Sequence, residues 1–528
     1  MFADRLNHQS SPRPIAVVGG GATGTITSLL LNALGLGPVT LLEAEAEVLS
    51  GLATSMNSVG TNHHMAWGGH PATMEHFFKG AVLFNELFPN HVFASRTVNY
   101  YVPGRTPDGS VNTAIETAGG RPNGKASIAA RANATRLAAL YRDRVESGKA
   151  AVFGPVDRFV KVLAESDLRR MIGGEPPPTN GGRWLVPESV TDGFVDALQL
   201  RQSVVNNARF CVHLVQRLQE ATQRGGLQIL LRCRVREIRP AGQGFELLVD
   251  SARGQRRLRF HDVIQCGYAG GVGLSIPGVR DDGLHAALKI FGLYELPASI
   301  AESFVSFIMI RGQFGSAVRA GSRLISVCSG KEFDRDTITW PQGSVAGRRI
   351  PKHWTGLADP GRRAKALGGS DNELLDGIRK DIARWVPMIG SLRPVALKAA
   401  PQLYPRQRAT ADDVGAADRQ ESELDHCFRN AAGGQYFRLL GAKMVTIPHA
   451  AARAAAALLD QHVRAGHLSR NEVVAHLRFE SGYAELSEAL KIACGRDAPE
   501  AESAASLEVI RRRYNLPAEQ LEGDVQHV

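Results

Sequence analysis

From Ile15 to Leu42 the chain carries no charged residue, a run longer than the roughly 20 residues that a membrane-crossing helix needs. Its internal punctuation divides it differently. Ile15-Ala16-Val17-Val18 is a short β-type run, residues 19–24 are a glycine-rich turn, and residues 25–34 are helix-like. Gly35-Leu36-Gly37-Pro38 then breaks the helix before Val39-Thr40-Leu41-Leu42, a second strand-like run. The pattern predicts a βαβ unit and not a span. Farther along, residues 227–239 read as a strand after a long amphipathic helix, 245–250 and 256–260 as a hairpin, and 262–265 as a further strand. Residues 97–102, 304–310 and 324–327 are also strand-like. The Pro/Gly-rich stretches 119–124 and 173–182 read as surface loops, and the tail shows short helical patterns at 472–479 and 483–494.

Within the βαβ unit, Gly19, Gly21 and Gly24 fit the spacing G-x-G-x-x-G, and an acid, Glu43, ends the second strand nineteen residues after the last glycine. Each position has a physical task. Gly19 allows the tight strand-to-helix turn, Gly21 lets backbone approach a pyrophosphate, and Gly24 lets helix and strand pack closely. Ala22 and Thr23 begin the helix, whose unpaired N–H groups suit an anion. Glu43 would accept hydrogen bonds from ribose hydroxyls and repel a 2′-phosphate, which argues against NADP. A glycine motif alone is weak evidence, but strand, motif, helix, strand and acid in register indicate a dinucleotide site.

Residues 49–64 are small, polar and Gly-punctuated, unlike the next helix of a simple dinucleotide fold. They contain Ser55, Asn57 and Gly60, followed by His63 and His64. Here the chain resembles the FAD-dependent oxidoreductases of the D-amino-acid oxidase type, and within them the malate:quinone oxidoreductases and L-2-hydroxyglutarate dehydrogenases. In the malate:quinone group the corresponding loop ends Asn-Ala-Gly-Thr-Gly-His. Ser58-Val59-Gly60-Thr61-Asn62-His63 is similar to it and departs at Ser58, Val59 and Asn62. The resemblance recurs in family order at Val235, whose counterpart meets the adenine through its backbone, and at Gly267 in the Gly-rich return after residues 262–266. It recurs again at residues 433–448, which contain Gly441, Lys443, Met444, Val445 and Thr446 before an Ala-rich helix. In the family that helix points its N-terminus at the N1/O2 edge of the isoalloxazine and stabilises the reduced flavin.

The resemblance covers about residues 14–465. It implies an α/β fold, α+β overall, in which a Rossmann-like FAD-binding domain is interleaved with a mixed-sheet substrate domain. The expected pieces are 12–72, 185–275 and 428–465 for FAD, 73–184 and 276–427 for substrate, and 466–528 as a C-terminal helical extension. The implied reaction is removal of a hydride from the CH–OH carbon of a small 2-hydroxy acid, with electrons passing to quinone or oxygen. Oxidation of an amine or amino acid, or a biosynthetic flavoenzyme with a larger substrate, is the alternative.

Such chemistry needs a base for the substrate proton and a cation for a carboxylate. His63 is the first choice of base, since an unperturbed imidazole titrates near pH 6.5. His64 and, less so, His70 are substitutes, and simple packing is the competing reading for each. Tyr100 and Tyr101 alternate on a strand, so one of them would face the cavity, with Tyr101 the candidate and core packing the competing reading for each. Arg311 and Arg319, flanking Gly312-Gln313-Phe314-Gly315, are candidates for a bidentate carboxylate clamp.

Composition adds bounds. The 528 residues are 44% hydrophobic and 22% charged, which excludes a disordered chain, a collagen-like chain and a multispan membrane protein. The formal charge of +10 fits an anionic small molecule or peripheral contact with an anionic membrane. It also keeps open a non-enzymatic module binding nucleic acid or membrane, although no basic block favours nucleic acid. Six scattered cysteines indicate neither a disulfide framework nor a metal site, and with no evident export signal the expected location is cytoplasmic.

Overall fold

The computed structural model describes residues 13–50, 60–62, 71–103, 125–162, 194–267, 274, 285–301, 304–309, 315–321, 323–328, 336–339, 357, 360–383, 386–404, 424–430, 433–439, 444–464 and 490–494. The chain begins with β1 (Ile15–Val18), α1 (Ala22–Ala33) and β2 (Val39–Leu42), the βαβ unit that the punctuation predicts. It continues through β3 (Gly60–Asn62), α2 (Pro71–Leu87), β4 (Val92–Pro103), α3 (Lys125–Glu146), β5 (Val160–Val162) and β6 (Phe194–Asn206). After α4 (Asn207–Arg224) come β7 (Leu227–Leu230), β8 (Arg234–Ala241), β9 (Gly244–Ser251), β10 (Gly254–Phe260) and β11 (Asp262–Gln265). Then follow β12 (His285–Glu295), β13 (Ser306–Met309), β14 (Ser316–Arg319), β15 (Leu324–Cys328), β16 (Asp336–Thr339), α5 (Asp371–Ala383), β17 (Arg393–Tyr404), β18 (Leu424–Arg429), β19 (Gln435–Leu439) and α6 (Ile447–Arg464).

Three sheets organise these elements. The first has the order β18-β19-β11-β1-β2-β7 and is parallel except for β18. Every residue of β1 and β2 is buried, because both faces are covered. Ile15 and Val17 pack under α1, α4 and α6, while Ala16 and Val18 pack under the sheet β8-β9-β10. A strand sandwiched in this way reads as an unbroken apolar run and not as an alternation, which is why residues 15–42 mimic a membrane span. Among the described residues no helix is long and apolar enough to cross a membrane.

The third sheet has the order β16-β12-β15-β14-β13-β4-β6-β3, with β17 beside β12 and β5 beside β6. One face, through Phe307, Ala317, Ile325, Leu288, Ile290, Leu397 and Ala399, packs on α5. The opposite face, through Val98, Leu198, Leu200, Ile308 and Val318, packs on α2 and α3. The mixed α/β architecture agrees with the expected fold class.

Two details depart from expectation. Residues 227–239 are two strands, not one. Leu231-Arg232-Cys233 turns between them, Arg232 adopts φ 53°, and the Arg232 and Cys233 N–H groups donate to the Glu45 and Glu43 carbonyls at 2.8 Å each. The turn carries the chain from the parallel sheet into the overlying hairpin layer. In addition, β3 and β6 lie in the ten-stranded sheet, so the crossover falls at Asn206 and not near residue 185. There the Asn206 side chain caps α4 by accepting from Arg209 N–H at 3.2 Å, and the chain leaves one sheet for the other.

Candidate functional site

The carboxyl ends of β1, β2 and β11 meet at one point, the crevice where open parallel sheets bind their ligands. Gly19 has φ 105°. A Cβ built on it would stand 2.7 Å from Gly267 Cα, so the first glycine of the motif and the return turn after β11 are packed backbone to backbone. The Cys266 N–H seals this contact by donating to Val18 O at 2.7 Å. A Cβ on Gly24 would overlap Gly19 O, the close helix-strand approach that the motif requires. Gly21 is the N-cap of α1 and offers no side-chain bond, and the first turn contains no acid. The leading N–H groups of α1 are therefore available to an anion.

Glu43 is buried beside them, 8% exposed. Its Oε2 accepts from Gly20 N–H at 2.6 Å and its Oε1 from Glu45 N–H at 2.8 Å. Burial raises its pKa above the usual carboxylate range, with the backbone donors opposing that shift. A carboxylate has about four acceptor positions, so after two backbone bonds it can still receive ribose hydroxyls. Gly20, which the motif leaves unspecified, is also constrained, since a Cβ there would lie 2.8 Å from Glu43 Oε2. Val235 is buried in the cluster under the hairpin layer, two residues from the Cys233–Glu43 bond and at a bulge in the β8-β9 register. Gly19, Gly21, Ala22, Thr23, Gly24, Glu43, Val235 and Gly267 are thus gathered at one end of one sheet. A dinucleotide fits this donor set: free helix N–H groups for pyrophosphate, a carboxylate for ribose, and apolar strand backbone for a base.

The second locus is the head of α6. Met444, Val445 and Thr446 form a 3-10 turn with all three side chains buried, so what this turn offers a ligand comes from its backbone. It is seated on α2, where a Cβ on Gly80 would lie 2.9 Å from Thr446 Cγ2 and 3.0 Å from Val445 O. Beside it, His76 of α2 and His449 of α6 meet edge to face at 5.0 Å between centroids. Burial, with His76, Arg453 and Lys79 nearby, pushes the His449 pKa down to about 3. The sequence reading missed Gly80, His76 and His449. A glycine or histidine inside an amphipathic helix carries no local mark, because the residues that need it lie hundreds of positions away.

Gly60 lies in β3 opposite Asn206, and Tyr101 lies in β4 opposite Ala197 and Met309. The clamp reading for Arg319 is corrected. Arg319 is 6% exposed, its guanidinium donates to the Ala301 and Phe304 carbonyls, and its backbone N–H donates to Ser306 Oγ at 2.9 Å. Those carbonyls give it the seat of a structural residue tying β14 to the segment before β13. Ser55, Asn57, His63, His64, His70, Arg311, Gly441 and Lys443 lie outside the described residues.

No protein-family model and no curated protein matches the chain. Solved structures do. A modified fructosyl peptide oxidase from Aspergillus nidulans superposes with TM-score 0.53 at 12% identity, over 87% of this chain and 92% of that one. L-proline dehydrogenase from P. horikoshii gives 0.51 at 10% identity over 89% and 98%, and L-amino acid deaminase from Proteus vulgaris gives 0.50 at 11% over 85% and 94%. At these identities the likeness is one of fold. It spans nearly the whole of each partner.

Proposed function

We propose that the chain is an FAD-dependent oxidoreductase acting on a carbon that bears nitrogen, in a small amine or amino acid. The observation carrying the cofactor is the closed cradle in which Gly19 packs on Gly267 while Glu43 is held by the Gly20 and Glu45 N–H groups. Bound there, a flavin would accept a hydride at N5. The chain's own part is to hold and orient. The α1 N-terminus would hold the pyrophosphate, Glu43 the ribose, and the turn 444–446 with the head of α6 would offer backbone N–H groups to the flavin ring. His449, held neutral by burial, adds no charge there.

The choice of CH–N over the hydroxy acid implied by the malate:quinone resemblance rests on the neighbours. The three described above are named for fructosyl peptides, proline and L-amino acids. Oxygen or another small acceptor would take the electrons. His63 keeps the role of proposed base.

The test is direct. Purified protein should show flavin absorption that is released by acid precipitation. Under anaerobic conditions, amino acids or secondary amines should bleach it while malate and 2-hydroxyglutarate do not. Bleaching by hydroxy acids alone would overturn the CH–N assignment, and colourless protein that takes up no added FAD would overturn the cofactor.

A further inference from the structure

The layer β8-β9-β10 turns Val235, Ile238, Phe245, Leu247, Val249 and Phe260 toward the parallel sheet. Residues 232–260 carry eight arginines against three acids, half of the chain's formal charge of +10. Four of those arginines, Arg253, Arg256, Arg257 and Arg259, lie in or beside β10, the open edge of the layer. Gly254, Gln255, Arg256, Arg257 and Arg259 are exposed, and among the described residues no backbone hydrogen bond joins residues 254–260 to any strand but β9. Leu258 and Phe260 turn inward, so Arg257 and Arg259 stand together on the outer face, about 7 Å apart along the strand. One carboxylate serves both, since Glu246 accepts from Arg257 at 3.0 Å and lies 3.7 Å from Arg259. Arg253 and Arg256 make no ion pair among the described residues.

An open edge presents a row of N–H and C=O groups to a further strand. The arginines repel a second copy of β10 laid alongside, because like charges would then face each other. The same charges, recurring at a strand's own two-residue period, match an extended segment with an acid at every second position. A phosphate surface, of lipid or nucleic acid, has no donors for the edge carbonyls. Both aromatic side chains of the layer, Phe245 and Phe260, are buried, so it offers no platform for stacking bases. The exposed Leu231 stands across the layer from β10, before β8. We propose that β10 is a docking edge for an acidic, extended segment of a partner protein, which adds to the layer as a fourth strand. The flavin reading is not needed for it.

The experiment uses the full chain with its flavin content measured first. A fluorescein-labelled peptide of alternating Glu and Thr, seven residues long to match β10, should bind saturably by anisotropy and more weakly as salt rises. Two versions N-methylated at alternate backbone nitrogens keep the charge. One should bind about tenfold more weakly, having lost the N–H row that meets the edge, and the other should bind like the parent. Arg257→Gln with Arg259→Gln should weaken the parent peptide about three- to thirtyfold, and lysine at both positions should restore most of it, with melting temperature and flavin content unchanged throughout. Hydrogen exchange read by mass spectrometry should slow in residues 254–260 when the peptide binds. Equal binding by both N-methylated versions, or unchanged exchange in β10, would reduce the contact to charge alone and overturn the proposal. Tighter binding of polyuridylate or phosphatidylglycerol vesicles than of the peptide would overturn it too, as would self-association that the double variant abolishes.

Discussion

Glu43 is a carboxylate taken out of water and given two backbone donors, and its two pH effects have opposite signs. Burial raises its pKa in the folded chain. The native state then keeps the proton to higher pH than the unfolded chain does, so through that interval this residue makes the fold less stable as pH rises. Cofactor binding runs the other way. Ribose hydroxyls need the acceptor-only carboxylate, so FAD affinity should fall as pH is lowered toward the raised value. In Glu43→Gln the amide presents one acceptor to the two N–H groups of Gly20 and Glu45, and one of them meets an NH2. The expected loss is about 1–3 kcal/mol, read as at least several-fold weaker FAD retention in a fluorescence titration, with the acid limb of the affinity profile gone. An unchanged acid limb would put the titrating group elsewhere. At this scale, legibility follows distance in sequence. Gly19, Gly24 and Glu43 could be read because a single βαβ unit contains both the residue and its reason. Arg319 could not, because the Ala301 and Phe304 carbonyls that hold it lie outside its own strand and nothing in the local sequence marks them.

Elements were legible where hydrophobic periodicity is set locally, and were misread where it is set by what lies above the sheet. The strands β1 and β2 fall where the apolar runs place them. Residues 227–239 read as one strand-like run, yet the chain must leave one layer for another there, and only the Glu43 and Glu45 carbonyls mark the turn. The crossover at Asn206 is similar, since β6 runs directly into α4 with a single side chain to separate them. Asn206→Ala removes that cap and should cost about 1 kcal/mol, seen as a lower urea midpoint with an unchanged slope. Gly80 is the sharper case at this scale, because α2 can support the turn 444–446 only while residue 80 has no side chain. Gly80→Ala puts a methyl group against Thr446 and the Val445 carbonyl, both fully buried. The expected cost is about 1–3 kcal/mol together with a shifted flavin absorption spectrum. A change in stability without a spectral change would show that the turn does not reach the ring.

For the molecule as a whole, the stacked layers bury imidazoles deeply enough to set its acid behaviour. His449 sits between α2 and α6 with its pKa near 3. His91, 4.4 Å from His213 between ring centroids, is held well below the ordinary value by burial, with His213 and Arg209 adding to the effect. His213 in turn meets the Cys494 carbonyl, and Arg217 donates to the Ile492 carbonyl at 2.8 Å, so the described piece of the tail is anchored on α4 beside the same imidazoles. Its Leu490, Ala493 and Cys494 side chains complete the core under that helix. When the chain unfolds, each of these buried histidines returns to an ordinary pKa of about 6.5. Below that value the unfolded chain binds protons that the native chain refuses. Stability is therefore retained above about pH 6.5 and falls as pH drops, by about 1.4 kcal/mol per pH unit for each such group. For His449 the fall continues until its own folded value near 3. Proton uptake on unfolding, measured by potentiometry at about pH 5, should include about one proton each from His91 and His449. His449→Gln should lower that uptake by about one proton and flatten the acid slope of the melting temperature, while leaving the slope above neutrality as it was. If the variant takes up as many protons as the native chain, His449 is already charged in the fold, and α2 and α6 are not packed around a neutral imidazole at this position.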